Sequence, residues 1–222
     1  DILAVTANKT WTTVADMETA AAPVGEALRD RRRRETTLEI CEAALDLFEE
    51  KGVARTTVDE IAARAGVSAR TFFRLAGTKE DAVFIDDERF VTAFAEIGAD
   101  GDDIAALTRA LREVFARELD RLHADAHARA RFLRVRRLIG HEPALLGAAI
   151  RREATSSDRF VPEIAARIGL SELDVRAAIG LAALEMRTAL DEWARRADRG
   201  EEADLPALPR EIRTLLGAAA AD

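Results

Sequence analysis

The chain has 222 residues, 48% of them hydrophobic and 33% charged, with a formal net charge of −8, which suits a small module plus one larger domain of a globular protein. The acidic balance argues against a general membrane or nucleic-acid coat, and the single cysteine excludes an internal disulfide. No leader with a cleavage site and no run of about 18 apolar residues supports secretion or membrane spanning, so a cytoplasmic location is expected.

Abundant Ala, Leu, Arg and Glu without sustained alternation predict an all-α fold. Residues 1–25 are polar and Ala/Thr-rich, with Trp11 and an internal Met17, and are read as a flexible N-terminal extension without assigned function. The run Arg31 to Arg34 stands just ahead of the expected first helix and suits phosphate. That helix has Leu38, Cys41, Leu45 and Phe48 on one face and Lys51-Gly52 as its stop, which makes Cys41 a small core residue.

The stretch from Thr57 to Asp81 is the most informative. Thr57 and Glu60 form a capping box that starts a short helix with Val58, Ile61, Ala62 and Ala65 inward. Gly66 ends it in a left-handed conformation, with Val67 tucked under the turn. Ser68 caps a second helix over Ala69 to Ala76, whose apolar side is Ala69, Phe72 and Ala76 and whose opposite side carries Arg70 and Arg74, one turn apart. Two short helices meeting at a glycine, the second with outward arginines, match a recognition helix entering the major groove. Arg side chains there pair bidentately with guanine, and Thr71 can hydrogen-bond or meet a thymine methyl. Charge supports this: Glu26 to Lys79 holds ten Asp/Glu against eleven Lys/Arg, so the rest of the chain carries −9 of the overall −8. Gly66 to Lys79 contains three cations and no acid.

Beyond it, a second capping box from Thr78 to Asp81 predicts a helix to about residue 97, broken by Asp100-Gly101-Asp102. Helices follow at about 103–122, 126–140, 143–155 and 159–168, with Pro143 and Pro162 near two starts. Within the arginine-rich segment His127 to His141, Phe132, Val135 and Ile139 form the buried stripe. The segment invites an anionic ligand but reads mostly as a solvated face, with Arg129, Arg136 and Arg137 expected outward and Arg131 and Arg134 the better candidates to turn inward. Phe94, Phe115, Arg131, Phe132 and Arg134 are therefore the candidate effector-binding residues, with Leu133, Leu138 and Leu146 further candidates for an apolar cavity wall or plain core. From Ser171 to Ala197 one face carries Val175, Ile179, Ala182, Met186, Ala189 and Trp193 and a second carries Leu181 and Leu184. The last helix repeats Leu205, Leu208, Ile212 and Leu215. A homodimer through these two helices, packed as a four-helix bundle, is expected, with Val175, Ile179, Ala182, Met186, Trp193, Leu208, Ile212 and Leu215 at the interface.

Three rival readings are weaker. His123 and His127, one turn apart, could make a metal-responsive regulator, but no third well-placed ligand accompanies them. No nucleophile-elbow, zincin, Walker or dinucleotide glycine motif points to an enzyme, and no cofactor is implied. A helical protein-binding adaptor would be indifferent to DNA.

Residues 35–85 resemble the TetR family of transcriptional regulators. The resemblance rests on the first-helix face, Thr56-Thr57-Val58, Glu60-Ile61-Ala62, Ala65-Gly66-Val67-Ser68, Thr71-Phe72-Phe73 and Lys79-Glu80. It implies a three-helix DNA-binding module at residues 26–80, with Thr57, Ser68, Arg70, Thr71, Phe73, Arg74 and Lys79 touching phosphate or base. A larger helical effector-binding and dimerisation domain would follow at residues 81–222. It further implies a homodimer on double-stranded, inverted-repeat DNA, most often a repressor released by a small-molecule effector. The stretch Thr71-Phe72-Phe73-Arg74 is similar to regulators near the mycofactocin-associated branch, which implies a fatty acyl thioester. Two departures stand out: Leu75 and Ala76 replace the usual aromatics, and Phe73 stands where a tyrosine hydroxyl commonly grips phosphate.

Overall fold

The computed structural model of the chain describes residues 24–87, 97 and 103–219. Among these the α-helices are α1 (Val24–Lys51), α2 (Val58–Arg64), α3 (Ala69–Ala76), α4 (Ile104–Ala124), α5 (Ala126–His141), α6 (Pro143–Ile168), α7 (Glu172–Asp198) and α8 (Leu208–Ala219), with short 3-10 segments at Val53–Arg55 and Asp81–Asp87. No strand occurs among the described residues, and the fold is all-α.

The chain divides into two compact units, residues 1–35 and 36–222. In the first, the opening turns of α1 already contain Arg31 to Arg34, so the arginine run lies inside the helix rather than ahead of it. Arginine is a good helix former, and Arg31 pairs with Glu35 at 3.7 Å one turn on, both well exposed.

The second unit holds three apolar clusters. One gathers Ile40, Leu45 and Phe48 of α1, Ile61 of α2 and Phe72 of α3 with Val135 of α5 and Leu145 of α6. The helix-turn-helix thus shares its core with the helices that follow. A second joins Leu107 and Leu111 of α4 to Phe160 and Ile164 of α6 and to Val175 and Ile179 of α7. The third packs Leu119 against Met186, Trp193, Leu205 and Leu208. Each fully buried side chain of this size contributes about 1.5–3 kcal/mol relative to exposure. Cys41 is buried in the first cluster, as expected.

Three sequence expectations are corrected. The Thr78 cap forms, with Asp81 donating its backbone N–H to Thr78 Oγ1 at 3.1 Å, and over Asp81–Asp87 it opens a 3-10 segment rather than an α-helix, while most of the rest of the helix expected to about residue 97 lies outside the described residues. The expected helices at 143–155 and 159–168 are one, α6, with Pro162 inside it. Proline removes a single backbone donor there, while Phe160, Val161 and Ile164 on the same stretch are each almost wholly buried, and that packing outweighs the lost bond. Finally, Val175, Ile179, Ala182, Met186 and Trp193 belong to the chain's own core, as does Leu208. They are 0–8% exposed, so little of their surface remains outside the chain's own core. The exposed apolar side chains of the last two helices are Leu173, Leu181, Leu184 and Leu215, with Ile212 half-buried.

Candidate nucleic-acid interface

Local sequence builds the helix-turn-helix. Thr57 Oγ1 accepts the Glu60 backbone N–H at 3.3 Å while Glu60 Oε2 accepts the Thr57 N–H at 2.9 Å, a reciprocal capping box. Lys51 and Thr57 hold the Glu60 carboxyl at about 2, far below its ordinary 4.5, through their hydrogen bonds to it. At the other end Gly66 has φ +68°, and Val67 N–H reaches Ala62 O at 2.9 Å while Gly66 N–H reaches Ala63 O at 3.2 Å. These paired bonds close a Schellman turn, which needs a left-handed residue at its corner. Ser68 Oγ then accepts the Thr71 N–H at 3.2 Å and starts α3, its hydroxyl also 3.0 Å from that of Thr71.

With Phe72 fully buried, the opposite face of α3 is fixed outward. Arg70, Phe73 and Arg74 are exposed, Phe73 to 55%. Neither Arg70 nor Arg74 has a hydrogen-bond or ion-pair partner among the described residues. Thr57 and Ser68 are exposed too, with Thr71 half-buried. The two departures find different explanations. Leu75 and Ala76 pack against the first apolar cluster, and Phe73 sits edge-on to Phe72 with ring centroids 5.8 Å apart.

Lys79 is differently employed. Its Nζ donates to Val53 O at 2.8 Å and Thr56 O at 2.9 Å, clamping the turn that enters α2, and one N–H remains for another acceptor. The same turn is held by buried Thr56, whose hydroxyl donates to Gly52 O at 3.0 Å, and by Glu142 Oε1, which accepts Val53 N–H at 3.3 Å.

The arginine-rich α5 is paired throughout. Arg134 hydrogen-bonds Glu42, Asp46 and Glu49 of α1 at 2.8, 2.6 and 2.7 Å, and the Glu49 and Asp46 carboxylates raise its hold on its proton further. Arg131 lies 3.5 Å from Glu42, Arg136 pairs with Asp191, Arg137 with Asp198, and Arg129 donates to the His123 carbonyl. The inward and outward assignments therefore change: Arg136 and Arg131 are the most enclosed, with side chains 12% and 14% exposed. The acids at 42, 46 and 49, four and three residues apart on α1, were the readable sign that a cation must face them.

A cavity of about 910 Å³ opens among α4, α5, α6 and α7. Phe115, Phe132 and Arg131 line it, as do Leu146 and Arg136. Arg134 is not part of its wall, because the α1 acids hold it away, while Leu133 and Leu138 pack into the third and first apolar clusters. Phe94 lies outside the described residues. His123 sits near the end of α4 and His127 opens α5, and no group of three metal-ligating side chains occurs among the described residues. Nor is any helix there long and apolar enough to cross a membrane.

A capped helix pair at a left-handed glycine, with unopposed arginines on the second helix, defines a helix-turn-helix DNA-binding protein. Residues 40–83 match the model for bacterial regulatory proteins of the tetR family. The chain is also 32% identical over 196 residues to the HTH-type transcriptional regulator TcmR of Streptomyces glaucescens, covering 83% of this chain and 84% of that protein. It belongs to the TetR family and is a DNA-binding transcriptional regulator. Among solved structures, the Clostridium perfringens putative fatty acid metabolism regulator aligns with a TM-score of 0.43 at 20% identity, over 78% of this chain and 94% of that one.

Proposed function

We propose that the protein is a ligand-responsive repressor that binds an inverted-repeat operator as a homodimer and works by binding, without catalysing a reaction. The carrying observation is the outward, unpartnered pair Arg70 and Arg74 on a helix fixed by its buried Phe72. Arg70 and Arg74 read guanine edges; Thr71 and Phe73 meet bases or sugar-phosphate beside them; Thr57 and Ser68, at the two helix starts, contact phosphate. Lys79 uses its remaining donor on phosphate while clamping the turn.

The cavity is the effector site. Its wall includes Leu38 of α1, Val83 and Phe84 next to the reading module, and Arg131, whose carboxylate partner Glu42 is on α1. A ligand that shifts α5 therefore bears directly on the helix that supports the reader. Dimerisation uses the exposed Leu181 and Leu184 of α7 with Ile212 and Leu215 of α8, which would place two reading helices about a two-fold axis. Residues 26–80 serve as the reading module and 81–222 as the effector and dimer domain.

The test is selection of bound fragments from a random duplex library at near-physiological salt, with an Arg70→Ala/Arg74→Ala variant in parallel. An inverted repeat enriched by the wild type and lost in the variant is the expected result. Enrichment of the same sequence by both would remove the arginines from the reading role, and a single half-site would count against the dimer.

A further inference from the structure

We infer that Arg152 is a positioning residue for operator reading: from α6 it fixes how the helix-turn-helix is held and thereby sets which half-site spacing the protein accepts, without touching DNA. The role rests on the proposed binding of an inverted repeat by a homodimer.

Helix α6 presents two neighbouring stripes. Glu142, just ahead of it, is followed by Leu145, Ala149 and Arg152 at intervals of three, four and three, which is one helical face. Leu146, Ile150 and Glu153 repeat the pattern one step on and line the cavity. The first stripe meets the reading helices. Leu145 is wholly buried in the apolar cluster that contains Ile61 and Phe72, and Ala149 packs against that cluster. Glu142 Oε1 accepts the Val53 N–H at 3.3 Å, where the chain turns toward α2. At the other end Arg152 Nη2 donates to Phe84 O at 3.3 Å, its Cζ lies 5.6 Å from the centre of the Phe84 ring, and Nη1 stands 3.8 Å from Asp81 Oδ1. Asp81 is itself tied to Thr78, whose hydroxyl donates to Asp81 Oδ2 at 2.6 Å. One polar grip thus holds the entry to the helix-turn-helix and the other holds its exit.

Glu142 and Arg152 are ten residues apart, about 15 Å along a helix. The apolar packing between them is non-directional and leaves freedom to slide or turn. A single directional contact fixes a point; two at that separation fix an angle. One base pair more or less between half-sites moves the second half-site by about 3.4 Å along the duplex and about 35° around it. A helix-turn-helix held at both ends resists that displacement, whereas one held at a single end follows it.

The experiment takes the inverted repeat selected by the wild type, varies its spacer by one and two base pairs in each direction, and measures affinity by fluorescence anisotropy at near-physiological salt. The wild type should favour one spacer. In Arg152→Met the ratio between the best spacer and its neighbours should shrink about three- to tenfold, while the base preference within each half-site stays as it was. Should that variant fold poorly, the other grip gives an independent reading. Glu142→Ala should flatten the profile in the same way, and Glu142→Gln, which keeps an oxygen for the Val53 N–H, should retain it. Equal weakening at every spacer, as loss of folded protein alone would give, overturns the positioning role; so does an unchanged profile, or a wild type indifferent to spacing. Selection of a lone half-site by the wild type would overturn the dimer as well, so the two failures can be told apart.

Discussion

Helix α3 and helix α5 both advertise arginine, and they use it in opposite ways. On α3, Arg70 and Arg74 face no acid, because residues 66–79 contain none and the packing of Phe72 turns them away from the rest of the fold. On α5, Arg134 is met by three carboxylates of α1, Arg136 by Asp191 and Arg137 by Asp198. Availability for an outside anion thus depends less on how many arginines a segment carries than on which acids the tertiary packing sets opposite them. The first helix is equipped to reach out, the second to tie the helices together.

The sharpest way to break this contrast is to remove the free pair. Arg70→Ala and Arg74→Ala should each cost roughly 1–3 kcal/mol of operator binding, about five- to 150-fold apiece, with no change in Tm. A fall in Tm as large as that of a core mutant would mean the two residues are structural after all. Lys79 stands between the two cases. Lys79→Met should lower stability by about 1.5–3 kcal/mol, since charged hydrogen bonds to two carbonyls disappear, and should also flatten the salt dependence of DNA binding by about one unit if the third donor reaches phosphate. An unchanged salt slope alongside the stability loss would make Lys79 purely a clamp.

Arg134→Ala should destabilise the fold by about 1–2 kcal/mol in urea, from three partly screened pairs. It should leave the base preference of the DNA site untouched; a changed preference would mean that α5 shapes the reader as well as supporting it. The smallest effect concerns Glu60. Its carboxyl is held at about 2 in the fold against an ordinary 4.5, so the charged form favours the folded state. That contribution is whole above about pH 4.5 and disappears as pH falls toward 2. The difference in Tm between wild type and Glu60→Gln should therefore shrink across that window, and a constant gap would show that charge is not what the carboxylate supplies.

Much of the reading module was legible because its signals are local. Capping boxes, a glycine corner and a one-turn arginine spacing act within four residues of themselves, and each expected cap at Thr57, Ser68 and Thr78 is present. The larger helical part was legible only in outline. Pro162 looked like a helix start, yet the surrounding apolar contacts carry α6 straight through it. Arg134 looked like a cavity residue, but its partners are more than eighty residues away in sequence.

The last two helices make the same point. Their apolar surplus was visible, and one of the two apolar faces packs inside the chain while the other is exposed. Which face went inward depended on the rest of the chain: Val175, Ile179 and Met186 are buried because α4 and α6 offer complementary surface there, leaving Leu181 and Leu184 outside.

Sequence by itself determined the all-α class, the helix-turn-helix and the outward arginines of α3, because hydrogen-bond caps and helical periodicity are properties of neighbouring residues. Tertiary structure alone decided which arginines are spent, which apolar face is free and where the cavity lies. Those outcomes depend on residues distant in sequence meeting in a dense interior, where each charge must find its opposite and each apolar face its cover.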